Sequence, residues 1–405
     1  DADRDILIDA LEGAVRAYRD KTAGSTILGR PAPDASVLGP IAAAIEKCAA
    51  YKAVSGHRLY SAGSGVVLHA HSLAEPFLDR AERDISAAAA WLLRLLTTRE
   101  AKGVFKAVIW GLSIDEEAPL PDSSRLMPFA NLPDSYMKSR IQHWAKPYCS
   151  EASWLSHNYF GVPGAAFIKE VSNFPYICTD GASIKTIREL ELDARDYWAV
   201  LEAVSIGHPL VFGFWFEYTD PDLDIASWEN GISWNHPEIP PCLSSCTLAN
   251  VKAIQDNLRD YAALQSELQS KLLRSVKRFT LSQCRHQMID RVLDLALAFE
   301  IAVSGGGGNQ PISWKVSVRS AQFIGGALET RQNNRDKINE LYKLRNKATH
   351  GSSLNAHCRE QQVQILQQCS DIYRVLLRSF LCFGKEPDWN SLELEPHGLS
   401  GIAHQ

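Results

Sequence analysis

The spacing of apolar residues divides the chain into a mixed N-terminal part and a helical C-terminal part. Helical spacing predicts helices in three early segments, at residues 3–20, 39–52 and 72–99. Residues 104–110 and 209–218 are instead short runs of apolar residues rich in aromatic and β-branched side chains, which are typical of strands. We therefore expect residues 1–245 to form an irregular α+β domain.

After Cys246 the pattern is helical as far as Phe383. One long polar helix over residues 248–273 is predicted to connect the two domains, within a linker at 246–274. Four further helices are predicted at residues 279–303, 314–328, 334–349 and 360–383. Because the loops between them are short, residues 275–405 are expected to form an antiparallel all-α bundle. The predicted fold class is therefore α+β and mainly helical.

Composition agrees with two domains, since the chain has 405 residues and is 45% hydrophobic. Its charge is uneven: residues 271–405 hold 18 Lys and Arg against 12 Asp and Glu, whereas residues 1–270 hold 24 against 35. A basic C-terminal part beside an acidic N-terminal part suits a polyanion-binding module with a separate control domain, which would act as a sensor or regulator. Ordinary variation of surface charge explains the same numbers.

The chain has no run of eighteen apolar residues and no export pattern near its start, so we expect a cytoplasmic protein without a membrane partner. Nine cysteines are scattered without paired spacing. This pattern indicates reduced thiols rather than a disulfide framework.

One arginine interrupts the apolar face of the helix predicted at 334–349. Ile338, Leu341 and Tyr342 fall on one face at 100° per residue, and Arg345 follows seven residues after Ile338 in the same stripe. A guanidinium group keeps its proton, so on a buried face it requires an anion such as a carboxylate or a phosphate.

Two further polar residues accompany this arginine. Asn346 and His350 are spaced i,i+4 at the edge of the stripe, where both side chains can reach a group that Arg345 holds. A guanidinium, an amide and an imidazole at one helix end can bind a phosphodiester and transfer protons. The sequence therefore predicts a site at Arg345, Asn346 and His350, without a metal.

The helix predicted at 279–303 has a similar irregularity. Glu300 lies in a stripe with Val292, Ala296 and Val303, and a buried carboxylate there requires a cation, for which Arg345 is the obvious candidate. Two interpretations stay open. Glu300 either orients Arg345 within an active site or forms a structural ion pair that sets the register of the helices.

The segment LYKLRNKATHG at residues 341–351 resembles the HEPN superfamily, and more closely its Apea-like branch. The resemblance covers roughly residues 275–385. It implies an all-α bundle, commonly a homodimer, and often a metal-independent endoribonuclease without cofactors. Arg345, Asn346 and His350 would be the catalytic residues, supported by Tyr342, Lys347 and Glu300. Ser352 stands where some active members have a tyrosine.

The resemblance also implies a role in antiphage defence or as a toxin, with a phage-derived or nucleotide trigger acting on the N-terminal domain. The chemistry can be stated in terms of residues. RNA carries its own nucleophile, the 2′-OH, and His350 would take its proton or protonate the leaving 5′-oxygen. Arg345 would stabilise the charge on the non-bridging oxygens. In-line displacement needs groups on both sides of the phosphorus, which predicts a homodimer with a composite site.

Alternative functions remain at this stage. The bundle would otherwise form a non-catalytic, dimerising interaction protein, or the N-terminal aromatics would make the chain a nucleotide-sensing module. Those aromatics are Trp215, Phe216, Trp228 and Trp234, for which core packing is the other interpretation. Weaker candidates are a zinc site at His236, Cys242 and Cys246, a calcium site at Asp220, Asp222 and Asp224, and a Gly-rich loop at 304–310.

Overall fold

The computed structural model describes most of the chain and confirms a mainly helical α+β protein. The described residues are 2–22, 32–61, 64–145, 161–178, 181–204, 209–223, 233–234, 247–305, 311–349 and 359–394.

Three of the N-terminal helices are capped at their N-termini by the side chains of Asp34, Asp84 and Ser135. The helices of this part of the chain are α1 (Ala2–Thr22), α2 (Ala35–Lys47), α3 (Ala49–Lys52), α4 (Ala70–Ala81), α5 (Ile85–Thr97), α6 (Tyr136–Trp144) and α7 (Ala182–Ala203). Short 3₁₀ helices lie at Phe129–Asn131 and Pro221–Leu223.

The strands in the described part of the chain form three sheets. They are β1 (Arg58–Ser61), β2 (Ser64–Val67), β3 (Glu100–Trp110), β4 (Leu112–Ser113), β5 (Ala118–Pro119), β6 (Arg125–Pro128), β7 (Ala165–Pro175), β8 (Ile177–Cys178), β9 (Leu210–Tyr218), β10 (Ser233–Trp234) and β11 (Thr247–Leu248). The largest sheet has the order β10-β9-β3-β7-β6-β5, the second β2-β1-β8, and β11 pairs with β4 in parallel. The two strands predicted at 104–110 and 209–218 are confirmed as parts of β3 and β9.

The described residues after 248 contain helices and no strand. They are α8 (Val251–Ala262), α9 (Ser266–Cys284), α10 (Met288–Val303), α11 (Ile312–Ile324), α12 (Leu328–Thr349), α13 (Arg359–Phe383) and α14 (Trp389–Leu394). Within this region α9 packs against α10, and α12 packs against α10, α11 and α13. No described helix combines the length and the low charge that crossing a membrane requires.

Two compact units can be distinguished, and each draws on several parts of the sequence. The first consists of Asp1–Lys106, Lys169–Glu191 and Phe214–Ser233, and the second of Ala107–Ile168, Leu192–Gly213 and Trp234–Gln405. The predicted domain limits at 245 and 275 stay predictions. Residues 235–246 lie outside the described ranges, and residue 275 lies inside α9.

In the first unit, α1, α2, α4 and α5 pack around fully buried Leu7, Ile41 and Phe77. Aromatic rings fill the rest of its core, where Phe174 stacks on Phe216 with their centroids 4.0 Å apart. In the second unit, the centre of the bundle is the Tyr373 ring, stacked on Phe279 at 4.6 Å.

Four of the predicted helices were too long, because turns or an extended residue divide them. The segment 39–52 is divided between α2 and α3 by Cys48, which is extended with ψ 135°. The segment 72–99 is α4 and α5, separated by residues 82–84, and the Asp84 side chain accepts a hydrogen bond from the Ala87 N–H at 2.9 Å. This is an N-cap, which satisfies an N–H group that the first turn of a helix leaves free.

The predicted connector helix at 248–273 is likewise wrong. Leu248 belongs to β11, and the helical part is divided into α8 and α9 by a turn at 263–265, where Gln265 is extended with ψ 141°. The turn buries Leu264. Residues 279–303 also form parts of two helices, since Arg285 and Gln287 are extended between α9 and α10.

The boundary between the helices predicted at 314–328 and 334–349 lies earlier in the sequence than expected. Helix α11 ends at Ile324, because Gly325 adopts φ 75°, a left-handed conformation that glycine accepts without strain. Helix α12 then begins at Leu328, six residues before its predicted start.

Candidate functional site

Helix α12 carries most of the residues predicted to form a site. Its buried face contains Ile338 and Leu341, both fully buried, together with Tyr342 at 2% exposure. This face packs against α10, which carries Glu300 close to its C-terminal end. The two irregular residues of the sequence, Glu300 and Arg345, therefore lie on neighbouring helices.

Tyr342 connects these two helices through a polar contact. Its hydroxyl group donates a hydrogen bond to Glu300 Oε1 at 3.0 Å. Burial, and then the nearby Glu300 carboxylate, raise the pKa of Tyr342 well above its usual value of 10. The hydroxyl group therefore stays protonated and acts as a donor.

Arg345 lies beside the same carboxylate oxygen. Its Nη2 atom is 3.7 Å from Glu300 Oε1, so the predicted pairing of the two residues is confirmed as an ion pair. The expectation of a buried guanidinium is wrong, since the Arg345 side chain is 33% exposed and that of Glu300 is 17% exposed. Arg345 continues the apolar stripe near the C-terminal end of α12, where its side chain is one third exposed.

The guanidinium group of Arg345 is held loosely. Besides the ion pair, its only hydrogen bond to a described residue is from Nη1 to Asn346 Oδ1, at a long 3.5 Å. A guanidinium has five N–H donors in a planar fork, and most of those of Arg345 make no hydrogen bond to a residue that the structure describes, so they can bind an added anion. The arrangement can bind a phosphate without breaking a short ion pair.

The remaining predicted residues on this helix are exposed. Asn346 and Lys347 both face solvent in the last turn of α12. The Thr349 hydroxyl donates to the carbonyl oxygens of Arg345 and Asn346, each at 3.1 Å, and satisfies acceptors that a helix end leaves free.

The candidate base lies just beyond the described part of this helix. His350, Gly351 and Ser352 lie outside the described residues, in the stretch 350–358 that directly follows Thr349. The expectation that His350 lies close to Arg345 and Asn346 therefore stays a prediction.

A cleft lies along α12 next to Asn346, and the sequence analysis did not identify it. It measures about 360 Å³ and is bounded by Ser313 of α11 and by polar residues of α12. Those residues are Asp336, Asn339, Glu340, Tyr342, Lys343 and Asn346. They recur every three or four residues, a spacing visible in the sequence but also shown by any exposed helix face.

A second cavity of the bundle, about 430 Å³, surrounds the ammonium group of Lys271. Lys271 is 8% exposed and donates to Glu386 and to the Ser304 carbonyl oxygen. Burial lowers its pKa from the usual 10.5, although Glu386 opposes this effect. Arg319 of α11 forms an ion pair with Glu393 of α14 at 2.6 Å. Its guanidinium also lies over the ring of Trp389, 5.4 Å from the centroid, so Arg319 holds α14 against the bundle through two contacts.

The aromatic residues of the first unit are explained by core packing. Trp215 is 0% and Phe216 1% exposed, so neither ring has a face open to a base. These two residues therefore do not provide a base-stacking surface for the nucleotide-sensing alternative. Nothing is described of Trp228 or of the Trp234 side chain.

The candidate metal sites of the sequence receive no support. Asp220 and Asp222 form ion pairs with Arg94 and Arg80, and Asp224 lies outside the described residues. The zinc candidates His236, Cys242 and Cys246, and most of the loop at 304–310, also lie outside them. Among the residues that the structure does describe, no three His, Cys, Asp or Glu side chains gather as a metal site would need.

Comparison with models of protein families, with curated proteins and with solved structures finds no match for this chain. The HEPN resemblance thus rests on residues 341–351 and on the helical surroundings of α12.

Proposed function

We propose that this chain is a HEPN-type endoribonuclease that cleaves RNA by attack of the 2′-OH, without a metal ion, in a cytoplasmic defence or toxin role. The observation that supports the proposal best is the state of Arg345. Its guanidinium lies 3.7 Å from Glu300 Oε1, its side chain is one third exposed, and most of its N–H donors make no hydrogen bond to a described residue. A phosphodiester fits this arrangement.

The weakness of the ion pair favours a functional role over a structural one. Partly exposed ion pairs contribute about 0.2–1 kcal/mol to stability, so this pair adds little to the bundle. A residue that served only to fix helix register would be expected in a shorter, more buried pair. Such a pair exists close by, where Arg319 is 2% exposed and 2.6 Å from Glu393.

In the proposed reaction, Arg345 binds the non-bridging oxygens and stabilises their charge as the 2′-oxygen attacks the phosphorus. Glu300, held by Tyr342, fixes the direction of the guanidinium. Asn346 positions the phosphate, and His350 transfers the proton. The bond to the 5′-oxygen breaks, so the products are a 2′,3′-cyclic phosphate and a 5′-hydroxyl. A second copy of the chain supplies the groups on the opposite side of the phosphorus.

The test uses the full chain, a labelled mixed RNA pool and a buffer with EDTA. We expect wild type to produce 2′,3′-cyclic phosphate ends and to leave all-deoxy substrate intact. Arg345→Ala and His350→Ala should each lower the rate by about 100-fold or more. Arg378→Ala and His286→Ala, which alter exposed residues away from the site, are the matched controls.

Three results would contradict the proposal. These are loss of cleavage in EDTA, equal cleavage of DNA, and cleavage that survives in Arg345→Ala. If wild type cuts no RNA under any trigger and yet forms a stable dimer, the interaction protein is the better interpretation. Exposed Ile312, Trp314 and Leu328, at 51%, 42% and 63%, favour a surface of that kind.

A further inference from the structure

The positive charge of the C-terminal part is concentrated on one helix. Between residues 268 and 289, which include most of α9, the chain has five Lys and Arg residues and no Asp or Glu. These residues account for most of the basic excess of residues 271–405. Four of the five form what we call the basic surface of α9, namely Arg274, Lys277, Arg278 and Arg285.

The basic surface lies on the solvent side of the helix. At 100° per residue its four members fall within an arc of about 100°. The opposite side of α9 carries Leu272, Val276 and Phe279, which are all fully buried. Arg274 is exposed, and the Lys277 and Arg278 side chains are 46% and 44% exposed.

A buried carboxylate of α10 holds two members of this surface. Asp294, whose side chain is 8% exposed, accepts a hydrogen bond from Arg278 Nη1 at 3.0 Å and another from Arg285 Nε at 3.2 Å. One carboxylate neutralises only one of two guanidinium groups. Asp294 therefore fixes both arginines in position without cancelling the charge of both.

The other two members differ in their partners. Lys277 Nζ lies 2.7 Å from an oxygen of Asp196, on α7. Arg274 makes no hydrogen bond or ion pair with any residue in the described ranges. Its guanidinium group can therefore bind an external anion without first breaking a contact to a described residue.

The spacing of the arginines suits a polymer that carries one negative charge per repeat. Arg274 and Arg278 are separated by about 6 Å along the helix axis, and Arg274 and Arg285 by about 16 Å. The shorter distance is close to that between successive phosphates of an extended nucleic-acid strand. Each guanidinium presents a planar fork of donors that matches the oxygens of a phosphate.

We propose that the basic surface of α9 binds the sugar–phosphate backbone of single-stranded RNA without regard to base sequence. Naming RNA as the polyanion rests on the proposed function, whereas the surface itself does not depend on Arg345. Contacts to phosphates position a nucleic acid and carry no sequence information directly. The surface would thus raise the affinity for any substrate strand and leave the choice of cleavage point to other residues.

The experiment measures how binding depends on salt. The probe is a fluorescent oligonucleotide with a 2′-methoxy group on every ribose, so that 2′-OH attack cannot occur, and anisotropy reports its binding to the full chain. Each phosphate contact contributes about 0.7 to the slope of log affinity against log salt for a single strand. Arg274→Gln combined with Arg278→Gln should therefore reduce the slope by about 1.4 and weaken binding about 25-fold at about 0.1 M salt.

The variants are chosen so that the fold is retained. Arg278→Gln leaves Arg285 as the partner of buried Asp294, and thermal unfolding checks the stability of the double variant. Arg274→Gln alone changes an exposed side chain and should still reduce the slope by about 0.7. Arg16→Gln is the matched control, an exposed arginine in the middle of α1, and should leave the slope unchanged.

Four results would overturn the inference. They are absence of binding, an unchanged slope in Arg274→Gln, an equal loss in Arg16→Gln, and tighter binding of a polyglutamate peptide than of RNA. The last result would identify an acidic protein as the partner. Oligouridine and a mixed sequence should bind within about twofold of each other, because the backbone is the same in both.

Failure of this inference can be separated from failure of the proposed function. If the slope falls as expected in a protein that never cleaves RNA, the basic surface remains and the nuclease is wrong. If cleavage depends on Arg345 while binding and KM are unchanged in the double variant, the nuclease remains and the basic surface is wrong.

Discussion

The Tyr342 hydroxyl donates a hydrogen bond to the same Glu300 oxygen that lies 3.7 Å from the Arg345 guanidinium. One carboxylate oxygen thus receives a short contact from a buried donor and a longer contact from an exposed cation. The buried contact fixes Glu300, and Glu300 in turn limits where Arg345 can lie. Positioning of the cation therefore depends on a residue that is itself almost fully buried.

Tyr342→Phe removes only the hydroxyl group and tests this dependence. Hydrogen bonds to charged groups contribute about 1.5–3 kcal/mol, and since water can partly replace the donor at Glu300, we expect a loss of about 1–2 kcal/mol. Urea unfolding followed by circular dichroism measures it. Tyr136→Phe is the control, since Tyr136 is 65% exposed. An equal, near-zero loss in both variants would show that the hydroxyl of Tyr342 contributes nothing to the bundle.

Glu300→Gln separates positioning of Arg345 from stability. The variant keeps the shape of the side chain and an acceptor for Tyr342 but removes the charge that attracts Arg345. We expect RNA cleavage to fall by about 10- to 100-fold, because misplaced catalytic groups lose rate of this order. The melting temperature should change by less than about 2 °C, since the ion pair is partly exposed.

The double variant decides whether Glu300 acts through Arg345. In an Arg345→Ala background, Glu300→Gln should have no further effect on the residual cleavage, since the group that it positions is gone. Independent, multiplicative losses would mean that Glu300 acts on the reaction by another route.

The lowered pKa of buried Lys271 predicts that the free energy of unfolding changes with pH. Its folded pKa lies below the unfolded value of 10.5, so between these two values the unfolded chain binds more protons than the folded one. The free energy of unfolding of wild type, minus that of Lys271→Met, should therefore rise as the pH increases from the folded pKa to 10.5. Below the folded pKa this difference should not depend on pH. Urea unfolding of both proteins at stepped pH measures the difference.

Lys385→Met controls for the loss of one positive charge, because Lys385 is exposed in the segment that joins α13 to α14. Two results would contradict the conclusion that burial lowers the pKa of Lys271. One is a wild-type-minus-variant difference in unfolding free energy that falls with pH, and the other is a rise of the same size with Lys385→Met.

Replacement by alanine should change the stability in opposite directions at two glycines of the first unit. A Cβ atom at Gly103 would lie 2.3 Å from a Phe216 ring carbon and 2.5 Å from the Glu217 carbonyl oxygen. Gly103→Ala should therefore cost about 1–3 kcal/mol, as overpacked sites do. Gly13, in the exposed face of α1, has no atom within 4 Å of such a Cβ.

Gly13→Ala should raise stability by about 0.5–1 kcal/mol, because alanine favours the helix. Thermal unfolding of both variants beside wild type measures the two shifts. A tolerated Gly103→Ala would mean that β3 and β9 are less closely packed than the distances indicate.

The sequence by itself determined the secondary structure class and the pairing at the centre of the site. Apolar spacing predicted the helices of the C-terminal region and the strands β3 and β9. One charged residue within each of two apolar stripes also predicted that Glu300 and Arg345 would meet. Such predictions succeed because burying an unpaired charge is costly, whatever the details of the fold.

Only the tertiary structure decided where the helices end and which polar residues face one another. The turns at 82–84, 263–265 and 285–287 interrupt segments whose helical spacing continues on both sides, and burial of residues such as Leu264 depends on distant parts of the chain. The stripe containing Glu340 and Lys343 has the spacing of an ordinary exposed face. It becomes the wall of a cleft because α11 brings Ser313 beside it, and contacts between separate helices have no counterpart in local periodicity.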